Sequence, residues 1–188
     1  MDLTIAQTLH TLIFDFDGVF TDNSVIVSEN GEESVICDRR DGLGINLLRS
    51  YCYSLRHEIR LLILSKERNS VVATRASKLG IDVEYGVDNK AEFIATFLER
   101  YGHIKDSQVY KGLAYCGNDI NDLGAIKLSE YSFAPSDSHP TVKESVTRVL
   151  AEPGGRGFVR RVVEILIGLD NMTHYDIGHL LNNSQVKH

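Results

Sequence analysis

The 188-residue sequence has no tryptophan, only three cysteines and three prolines, and no long apolar segment. Cys37, Cys52 and Cys116 are odd in number and widely spaced, which indicates neither a disulfide framework nor a zinc site. No apolar run approaches the ~20 residues that a membrane-spanning helix needs. The N-terminus lacks the charged and then apolar layout of a signal peptide. We therefore expect a cytoplasmic protein with no membrane association.

Positive charge is also limited. Lys and Arg number 20 against 26 Asp and Glu, which gives a formal net charge of -6. No basic cluster is longer than a pair such as Arg160-Arg161, so a nucleic-acid partner is disfavoured. A content of 43% hydrophobic and 24% charged residues is that of an ordinary soluble globular protein. The length suits one α/β domain with a substantial core and is short for two.

The chain is organised around the stretch from Leu12 to Asp22. Leu12 to Phe14 is continuously apolar, which predicts a buried parallel strand. Asp15 and Asp17 follow at its carboxyl end, where open α/β sheets build their sites, and Gly18 lets the backbone turn close to a ligand. Two carboxylates this close repel each other unless a cation such as Mg²⁺ or a shared proton offsets their charge. Taken alone, such an acidic pair is more often part of a charged surface turn, since short acidic pairs are common in loops.

Strands and helices alternate along the rest of the chain. Two β-rich segments around an Asn30-Gly31 turn predict a hairpin over about residues 24–37, and Asp41 is the expected N-cap of the following helix. The alternation predicts an α/β fold with a doubly wound, Rossmann-like parallel sheet, in one domain that spans residues 1–168. The polar segment 169–188 is expected to be a mobile tail unless a partner subunit orders it.

Chemically useful side chains fall where the predicted parallel strands end. They are Asp15 and Asp17, then Ser65, then Lys90, and finally Asn118, Asp119 and Asp122. Because the carboxyl ends of parallel strands share one edge of the sheet, these groups should converge. An acid pair, a hydroxyl, an ammonium and a second acidic loop suit a phosphoryl group with Mg²⁺. Each residue alone has a structural explanation, as a helix cap or a solvated lysine, and their order along the chain favours a site.

The same segments resemble the four ordered motifs of the haloacid dehalogenase (HAD) superfamily. The motifs are Asp15–Asp22 (DFDGVFTD), Ser65, Lys90 and Gly117–Asp122 (GNDIND). Further segments are similar to the 3-deoxy-octulosonate (KDO) 8-phosphate phosphatase group. These are residues 29–33, 40–45, 75–81 and 153–157. The group includes nonulosonate 9-phosphate phosphatases and the C-terminal domain of some N-acylneuraminate cytidylyltransferases, and the resemblance covers roughly residues 10–168.

The resemblance implies a Mg²⁺-dependent phosphatase mechanism. Asp15 would attack phosphorus and form an aspartyl-phosphate. Asp17 would protonate the leaving sugar oxygen and then deprotonate the attacking water, while its backbone carbonyl would face the metal. Ser65 and Lys90 would bind the phosphoryl oxygens. The predicted metal ligands are Asp15, Asp17, Asn118, Asp119 and Asp122.

One residue departs from the motif pattern of the family. The second acidic loop usually begins Gly-Asp, whereas this chain has Gly117-Asn118. An asparagine can ligate through its carbonyl oxygen, but the site loses one negative charge. We therefore expect a lower metal affinity unless Asp119 compensates.

The predicted substrate is a 2-keto-3-deoxy sugar acid phosphate. The octulosonate branch usually has Gly-Arg after the motif hydroxyl, whereas Glu67 here resembles the nine-carbon branch, in which a carboxylate and two bases contact the sugar acid. Arg75 and Lys78, three residues apart on one helical face, are the corresponding bases, although such a pair is also typical of a solvated basic face. We place Gly18 with Glu67, Arg75 and Lys78 in the substrate site and favour a nonulosonate 9-phosphate over KDO 8-phosphate.

The spacing of the motifs leaves no room for a cap domain. A neighbouring subunit would then have to exclude water from the site. The resemblance implies a tetramer, because family members of this kind are tetramers. We therefore expect a homo-tetramer that packs through the 24–37 hairpin. Residues 154–157 and the tail would line an adjoining site. The alternative function is a catalytically weak HAD domain retained as an oligomerisation or regulatory module in N-acylneuraminate activation. A phosphotransferase or mutase is disfavoured, because it normally needs a cap to exclude water.

Overall fold

A six-stranded sheet forms the centre of the computed structural model, which describes residues 3–183. Its strand order is β5-β4-β1-β6-β7-β8, and all of its strand pairs are parallel. The elements are α1 Ile5–Thr8, β1 Thr11–Phe14, β2 Ile26–Val27, β3 Glu33–Ser34, α2 Arg39–Ser54, β4 Arg60–Leu64, α3 Ser70–Leu79, β5 Asp82–Glu84, α4 Lys90–Arg100, β6 Tyr110–Cys116, α5 Leu123–Leu128, β7 Ser129–Ala134, α6 Pro140–Ser145, β8 Arg148–Val149, α7 Phe158–Ile167 and α8 His174–Asn183. The predicted doubly wound parallel sheet is confirmed, and residues 3–183 form no separate cap domain. None of the helices in this range is long and apolar enough to cross a membrane.

The central strand β1 is buried on both faces. Leu12 and Phe14 belong to the apolar layer that includes α2, α3 and α7, whereas Ile13 belongs to the layer of α4, α5 and α6. All three side chains are fully buried. Alternate residues of a strand point to opposite faces, so a continuously apolar strand is what a sheet with helices on both sides requires.

The hairpin after β1 is present, with strands shorter than the predicted segments. Only Ile26–Val27 and Glu33–Ser34 pair, in antiparallel register around the turn. Val35 packs against the core, but four other apolar side chains of the hairpin are more than half exposed to solvent. They are Val25, Ile26, Val27 and Ile36. A group of large apolar residues on a protruding hairpin is typical of a surface that contacts another protein.

The first long helix begins earlier than predicted, at Arg39. Its N-cap is Asp38, whose carboxylate accepts a hydrogen bond of 2.8 Å from the backbone N–H of Arg40. The prediction that Asp41 is the cap is therefore wrong. Asp41 is fully buried, and its Oδ1 accepts from the backbone N–H of Arg160 at 3.1 Å. This bond ties α2 to the first turn of α7, where a negative charge is favoured by the helix dipole.

The segment expected to be a mobile tail contains further structure up to residue 183. A 3₁₀ turn at Leu169–Asn171 leads into α8, and both oxygens of Asp170 accept from the guanidinium of Arg161 at 2.8 and 2.9 Å. Leu180 is 6% exposed and belongs to the same apolar layer as α2 and α7. Leu169 and Met172 pack against this layer as well, whereas Tyr175 and Leu181 are exposed. The mobility expected for the segment stays a prediction. Residues 184–188 of the expected tail lie outside the described residues.

The buried carboxylate of Asp41 should make stability depend on pH. Burial raises its pKa to about 6, because the bond from Arg160 only partly offsets the loss of water, and its Oδ2 has no hydrogen-bond partner. A folded-state pKa above the unfolded value means that the folded protein binds the proton more tightly. The stabilisation from neutral Asp41 is therefore complete below about pH 4 and is lost as the pH rises through 6.

We predict that the Asp41→Asn variant gains stability relative to the wild type as the pH rises. Asparagine can keep an oxygen for the Arg160 N–H and never ionises. The free energy of unfolding of the variant minus that of the wild type should increase by roughly 1–3 kcal/mol between pH 4 and pH 7. Urea denaturation at several pH values measures this difference. A difference that does not change with pH would contradict the role assigned to Asp41.

Candidate active site

A polar cavity of about 140 Å³ opens at the carboxyl edge of the sheet, beyond β1, β4 and β6. The residues that line it are Asp15, Asp17, Asn23, Ser65, Lys66, Glu67, Asn118, Asp119 and Asn121. The structure therefore brings together the residues predicted at three successive strand ends. Lys90, Asp122 and Gly18 lie immediately around this cavity, as their contacts below show.

Asp15 follows directly on β1 and is held by two donors on one oxygen. Its Oδ1 accepts from the backbone N–H of Phe16 at 2.8 Å and lies 2.7 Å from Nζ of Lys90. Both contacts leave Oδ2 as the oxygen available to a reaction partner in the cavity. Burial raises the pKa of Asp15, and the ammonium of Lys90 opposes that rise. A divalent cation beside Asp15 would further favour the charged carboxylate.

Asp17 lies in a different electrostatic setting. Burial raises its pKa, and the neighbouring charge of Glu67 raises it further. Its Oδ1 accepts a long hydrogen bond of 3.4 Å from Oγ1 of Thr21. The two acids therefore differ in their partners, because Asp15 has a cation beside it and Asp17 has an anion. A carboxyl group whose pKa is raised towards neutrality is suited to general acid and base chemistry.

Lys90 begins α4 and is buried between two carboxylates. Its Nζ lies 2.7 Å from Oδ1 of Asp15 and 2.7 Å from Oδ1 of Asp122, and the residue is 2% exposed. Burial lowers the pKa of Lys90, but the two carboxylates more than offset this and raise it overall. The ammonium therefore stays charged, and it places a fixed positive charge beside Oδ1 of Asp15.

The structure places Asp122 behind Lys90 rather than in the cavity. Asp122 is fully buried, and its Oδ2 accepts from the backbone N–H groups of Asn118 at 2.9 Å and Asp119 at 3.2 Å. Both of its oxygens already hold protein donors, and the metal-ligand role of Asp122 stays a prediction. Asp119 does line the cavity, while its Oδ1 accepts from the N–H of Ile120 at 2.7 Å.

The side chain of Asn118 fits a magnesium ligand. Its Oδ1 is buried and has no hydrogen-bond partner among the described residues, which is costly for a polar atom unless something binds it. In residues 3–183 no group of three or more His, Cys, Asp or Glu side chains is arranged around a common metal position. Mg²⁺ is usually held by one or two carboxylates together with waters and phosphate oxygens. Asp15 and the oxygen of Asn118 would hold it, with the backbone carbonyl of Asp17 as the family resemblance implies.

Close packing of glycines fixes the loop that carries these acids. Gly18 has a φ of +76°, and a Cβ at this position would lie 1.9 Å from Nδ2 of Asn118. A Cβ at Gly154 would lie 2.1 Å from the carbonyl oxygen of Gly18, and Gly155 donates its N–H to the carbonyl of Val19 at 3.1 Å. The 154–155 glycines thus support the active-site loop from behind. They do not line this cavity, and the adjoining site predicted for residues 154–157 stays a prediction.

The predicted substrate residues divide into two groups. Ser65 is 1% exposed, its Oγ accepts from the N–H of Glu67 at 3.1 Å, and both residues line the cavity. Arg75 and Lys78 are not among the lining residues, and Nη2 of Arg75 donates to the carbonyl oxygen of Asp38 at 2.8 Å. Within one chain, these two side chains do not reach the cavity, and their contact with a substrate stays a prediction.

Three lining residues were missed by the sequence analysis: Asn23, Lys66 and Asn121. Lys66 and Asn121 each neighbour predicted residues, so proximity along the chain was the available signal. Asn23 has a φ of +65°, a left-handed conformation that asparagine adopts more readily than most residues. Nothing in the sequence around Asn23 indicates that this turn reaches the cavity.

We predict that Gly154→Ala lowers the free energy of unfolding by about 2 kcal/mol or more. The added Cβ would meet backbone atoms, which cannot move aside as a flexible side chain can. Gly178→Ala is the matched control, because a Cβ at Gly178 in α8 has no neighbour within 4 Å and alanine favours a helix. Denaturant titration of both variants measures the effect. Equal stability of the two variants would show that the 154–155 glycines do not support the loop as described.

Known proteins resemble this chain in sequence and in architecture. The 3-deoxy-D-manno-octulosonate 8-phosphate phosphatase KdsC of Escherichia coli K12 is 31% identical over 163 residues, which are 86% of this chain and 81% of that protein. The crystal structure of 3-deoxy-D-manno-octulosonate 8-phosphate phosphatase from Yersinia pestis matches with a TM-score of 0.75 and 30% identity. It covers 88% of this chain and 83% of that chain.

A third relative was solved with ligands. The 3-deoxy-D-manno-octulosonate 8-phosphate phosphatase from Moraxella catarrhalis, in complex with magnesium, phosphate and KDO, matches with a TM-score of 0.78 and 25% identity, over 93% of this chain and 94% of that chain. No protein-family model matches the sequence. A HAD family hydrolase from Streptomyces avermitilis also matches, with a TM-score of 0.78 and 35% identity over 90% of this chain and 97% of that chain. The extent and identity of these matches, together with the ordered motifs at the sheet edge, show that the chain belongs to the KDO 8-phosphate phosphatase family of the HAD superfamily.

Proposed function

We propose that this protein is a Mg²⁺-dependent phosphatase that hydrolyses a 2-keto-3-deoxy sugar acid phosphate through an aspartyl-phosphate on Asp15. The observation that carries the proposal is the placement of Asp15. Its Oδ1 is held by Lys90 and by a backbone N–H, at a cavity shared with Asp17, Ser65 and Asn118. The relative from Moraxella catarrhalis, solved with magnesium, phosphate and KDO, supports both the cofactor and the class of substrate.

In the first step, Oδ2 of Asp15 attacks the phosphorus atom in line with the sugar oxygen. The bond from phosphorus to that oxygen breaks, and Asp17 in its protonated form gives the oxygen a proton. The sugar leaves as an alcohol, and the phosphoryl group stays on Asp15. The hydroxyl of Ser65 and the charge of Lys90 offset the negative charge on the phosphoryl oxygens. Mg²⁺, when bound, supplies further positive charge at the same oxygens.

In the second step, a water molecule hydrolyses the acyl-phosphate. Asp17 is now a carboxylate and removes the proton from this water as the oxygen attacks phosphorus. The bond between phosphorus and Oδ2 of Asp15 breaks, which releases inorganic phosphate and restores both acids. The raised pKa of Asp17 suits both steps, because the group must hold a proton in one and take one in the other.

One cationic side chain of the cavity can bind the carboxylate of an acidic sugar, a contact that a neutral sugar cannot make. Asp15, Asp17, Glu67 and Asp119 line the cavity, and Lys66 is the cationic side chain among the lining residues. Lys66 neighbours the phosphate-binding Ser65, so it can pair with the carboxylate of a sugar acid. Glu67 supports the nine-carbon branch, and we favour a nonulosonate 9-phosphate over KDO 8-phosphate on this residue.

We also propose that the protein assembles as a homo-tetramer through its hairpin. The four exposed apolar side chains of residues 25–36 form a surface that one chain leaves open to solvent. Without a cap domain, the cavity needs cover from another subunit to exclude water during the acyl-phosphate stage. The oligomeric state of the purified protein in light scattering tests this assembly.

One observation favours the second candidate, a catalytically weak domain that serves oligomerisation or regulation in N-acylneuraminate activation. Asn118 replaces the usual acid of the metal loop, and the loss of a charge weakens metal binding. The retention of Asp15, Asp17, Ser65 and Lys90 in one geometry argues for the enzyme. The experiment below separates the two candidates.

We predict that the wild type releases phosphate, in the presence of Mg²⁺, faster from sugar acid phosphates than from a hexose 6-phosphate that lacks a carboxylate. The substrates are KDO 8-phosphate, a nonulosonate 9-phosphate and glucose 6-phosphate, and inorganic phosphate is the measured product. Asp15→Asn should lower the rate roughly a thousandfold or more, because it removes the nucleophile. A chelator should abolish release by the wild type.

The controls distinguish the candidates. If the folded wild type releases no phosphate from any of the three esters, the enzyme proposal is wrong and the second candidate is supported. Asn118→Asp then restores the charge of the metal loop, and activity gained by this variant would identify Asn118 as the cause. A nonulosonate 9-phosphate that is hydrolysed more slowly than KDO 8-phosphate would contradict the assignment based on Glu67.

A further inference from the structure

We propose that Tyr115 is a positioning residue of the active site, which fixes Asp122 and thereby both Lys90 and the backbone that presents Asn118. The effect on kcat that this inference predicts rests on the proposed function. Tyr115 lies on β6 and is not among the residues that line the cavity. Its role is therefore to hold other residues, and it does not contact the substrate.

The hydroxyl of Tyr115 makes a short bond to the carboxylate that holds Lys90. The O–H donates to Oδ1 of Asp122 at 2.6 Å, and the same oxygen lies 2.7 Å from Nζ of Lys90. Hydrogen bonds to an ionised acceptor are shorter and stronger than neutral ones. Burial and the carboxylate of Asp122 raise the pKa of Tyr115 well above its ordinary value, so the hydroxyl keeps the proton that it donates.

Asp122 receives four donors on its two oxygens. Oδ1 takes Tyr115 and Lys90, and Oδ2 takes the backbone N–H groups of Asn118 and Asp119. A carboxylate is planar, so a rotation that improves one side disturbs the other. Removal of the Tyr115 hydroxyl would leave Lys90 as the other donor on Oδ1, which allows the carboxylate to turn towards the ammonium and to shift the Asn118 backbone.

A structural explanation of Tyr115 has to be considered beside this one. Tyr115 and Asp122 are both fully buried, and each satisfies a polar group of the other that would otherwise be costly to bury. If satisfaction of these groups were the only role, removing the hydroxyl would lower stability without changing catalysis by the folded molecules. The positioning role predicts a change in catalysis and in metal binding, so the two explanations give different results.

The test compares Tyr115→Phe with Tyr110→Phe, a control on the same strand. Tyr110 is also buried, and its hydroxyl points to Glu99 at 3.5 Å, remote from Asp122. Phenylalanine keeps the ring in both cases, and circular dichroism establishes a temperature at which both variants are folded. We expect Tyr115→Phe to lower kcat by about tenfold and to weaken Mg²⁺ binding several-fold in calorimetry. Tyr110→Phe should leave both quantities unchanged.

A double-mutant comparison shows whether Tyr115 acts through Asp122. In an Asp122→Asn background, Tyr115→Phe should lower kcat by less than about twofold, since the residue that transmits its effect has already changed. An unchanged kcat and Mg²⁺ affinity in Tyr115→Phe, or a full tenfold loss in the Asp122→Asn background, would overturn the proposal. A wild type that is inactive on every substrate would disprove the proposed function. The calorimetric measurement of Mg²⁺ binding needs no turnover, so it would still test the role of Tyr115.

Discussion

The site depends on one buried ion network, in which Lys90 lies between the carboxylates of Asp15 and Asp122. A buried ammonium is stable only with close opposite charges and satisfied hydrogen bonds, and here each carboxylate lies 2.7 Å away. The network joins three elements of the sheet edge: the loop after β1, the start of α4 and the loop after β6. Because Lys90 orients Asp15 while Asp122 anchors the backbone of Asn118, the proposed nucleophile, the ammonium and the proposed metal loop are fixed relative to one another.

Glycine supplies the second constraint, because the loop of Asp15 and Asp17 is packed too tightly for a side chain. The carbonyl of Gly18 lies where a Cβ of Gly154 would be, and a Cβ of Gly18 would meet the Asn118 amide. Asn118 is therefore confined from one side while its Oδ1 stays without a protein partner. Relative to the acid that the family resemblance implies, asparagine thus keeps one oxygen at the proposed metal position, replaces the other with an amino group and removes the negative charge.

Residues of the site that follow directly on a strand could be predicted from the sequence. Residues whose position depends on tertiary contacts could not. Asp15 follows the apolar strand β1 and Ser65 follows the apolar strand β4. Because parallel strands end at the same edge of a sheet, the two residues had to lie at one edge. The role of Asp122 could not be read from spacing, because it depends on which way a buried carboxylate faces. Asp41 looked like a helix cap, yet it reaches Arg160 on a helix more than a hundred residues away. Leu180 packs against the core from a segment whose polar composition gave no sign of a core contact.

The most direct test of this account is reductive trapping of the acyl-phosphate during turnover. Borohydride converts a phosphorylated aspartate into homoserine, which peptide mass spectrometry can assign to a position. With Mg²⁺ and a hydrolysed sugar acid phosphate, the account predicts homoserine at Asp15, which appears with substrate and is absent without it. Phosphate release with no homoserine at Asp15, or with trapping at another carboxylate, would contradict the central claim that the Lys90-bound Asp15 is the nucleophile.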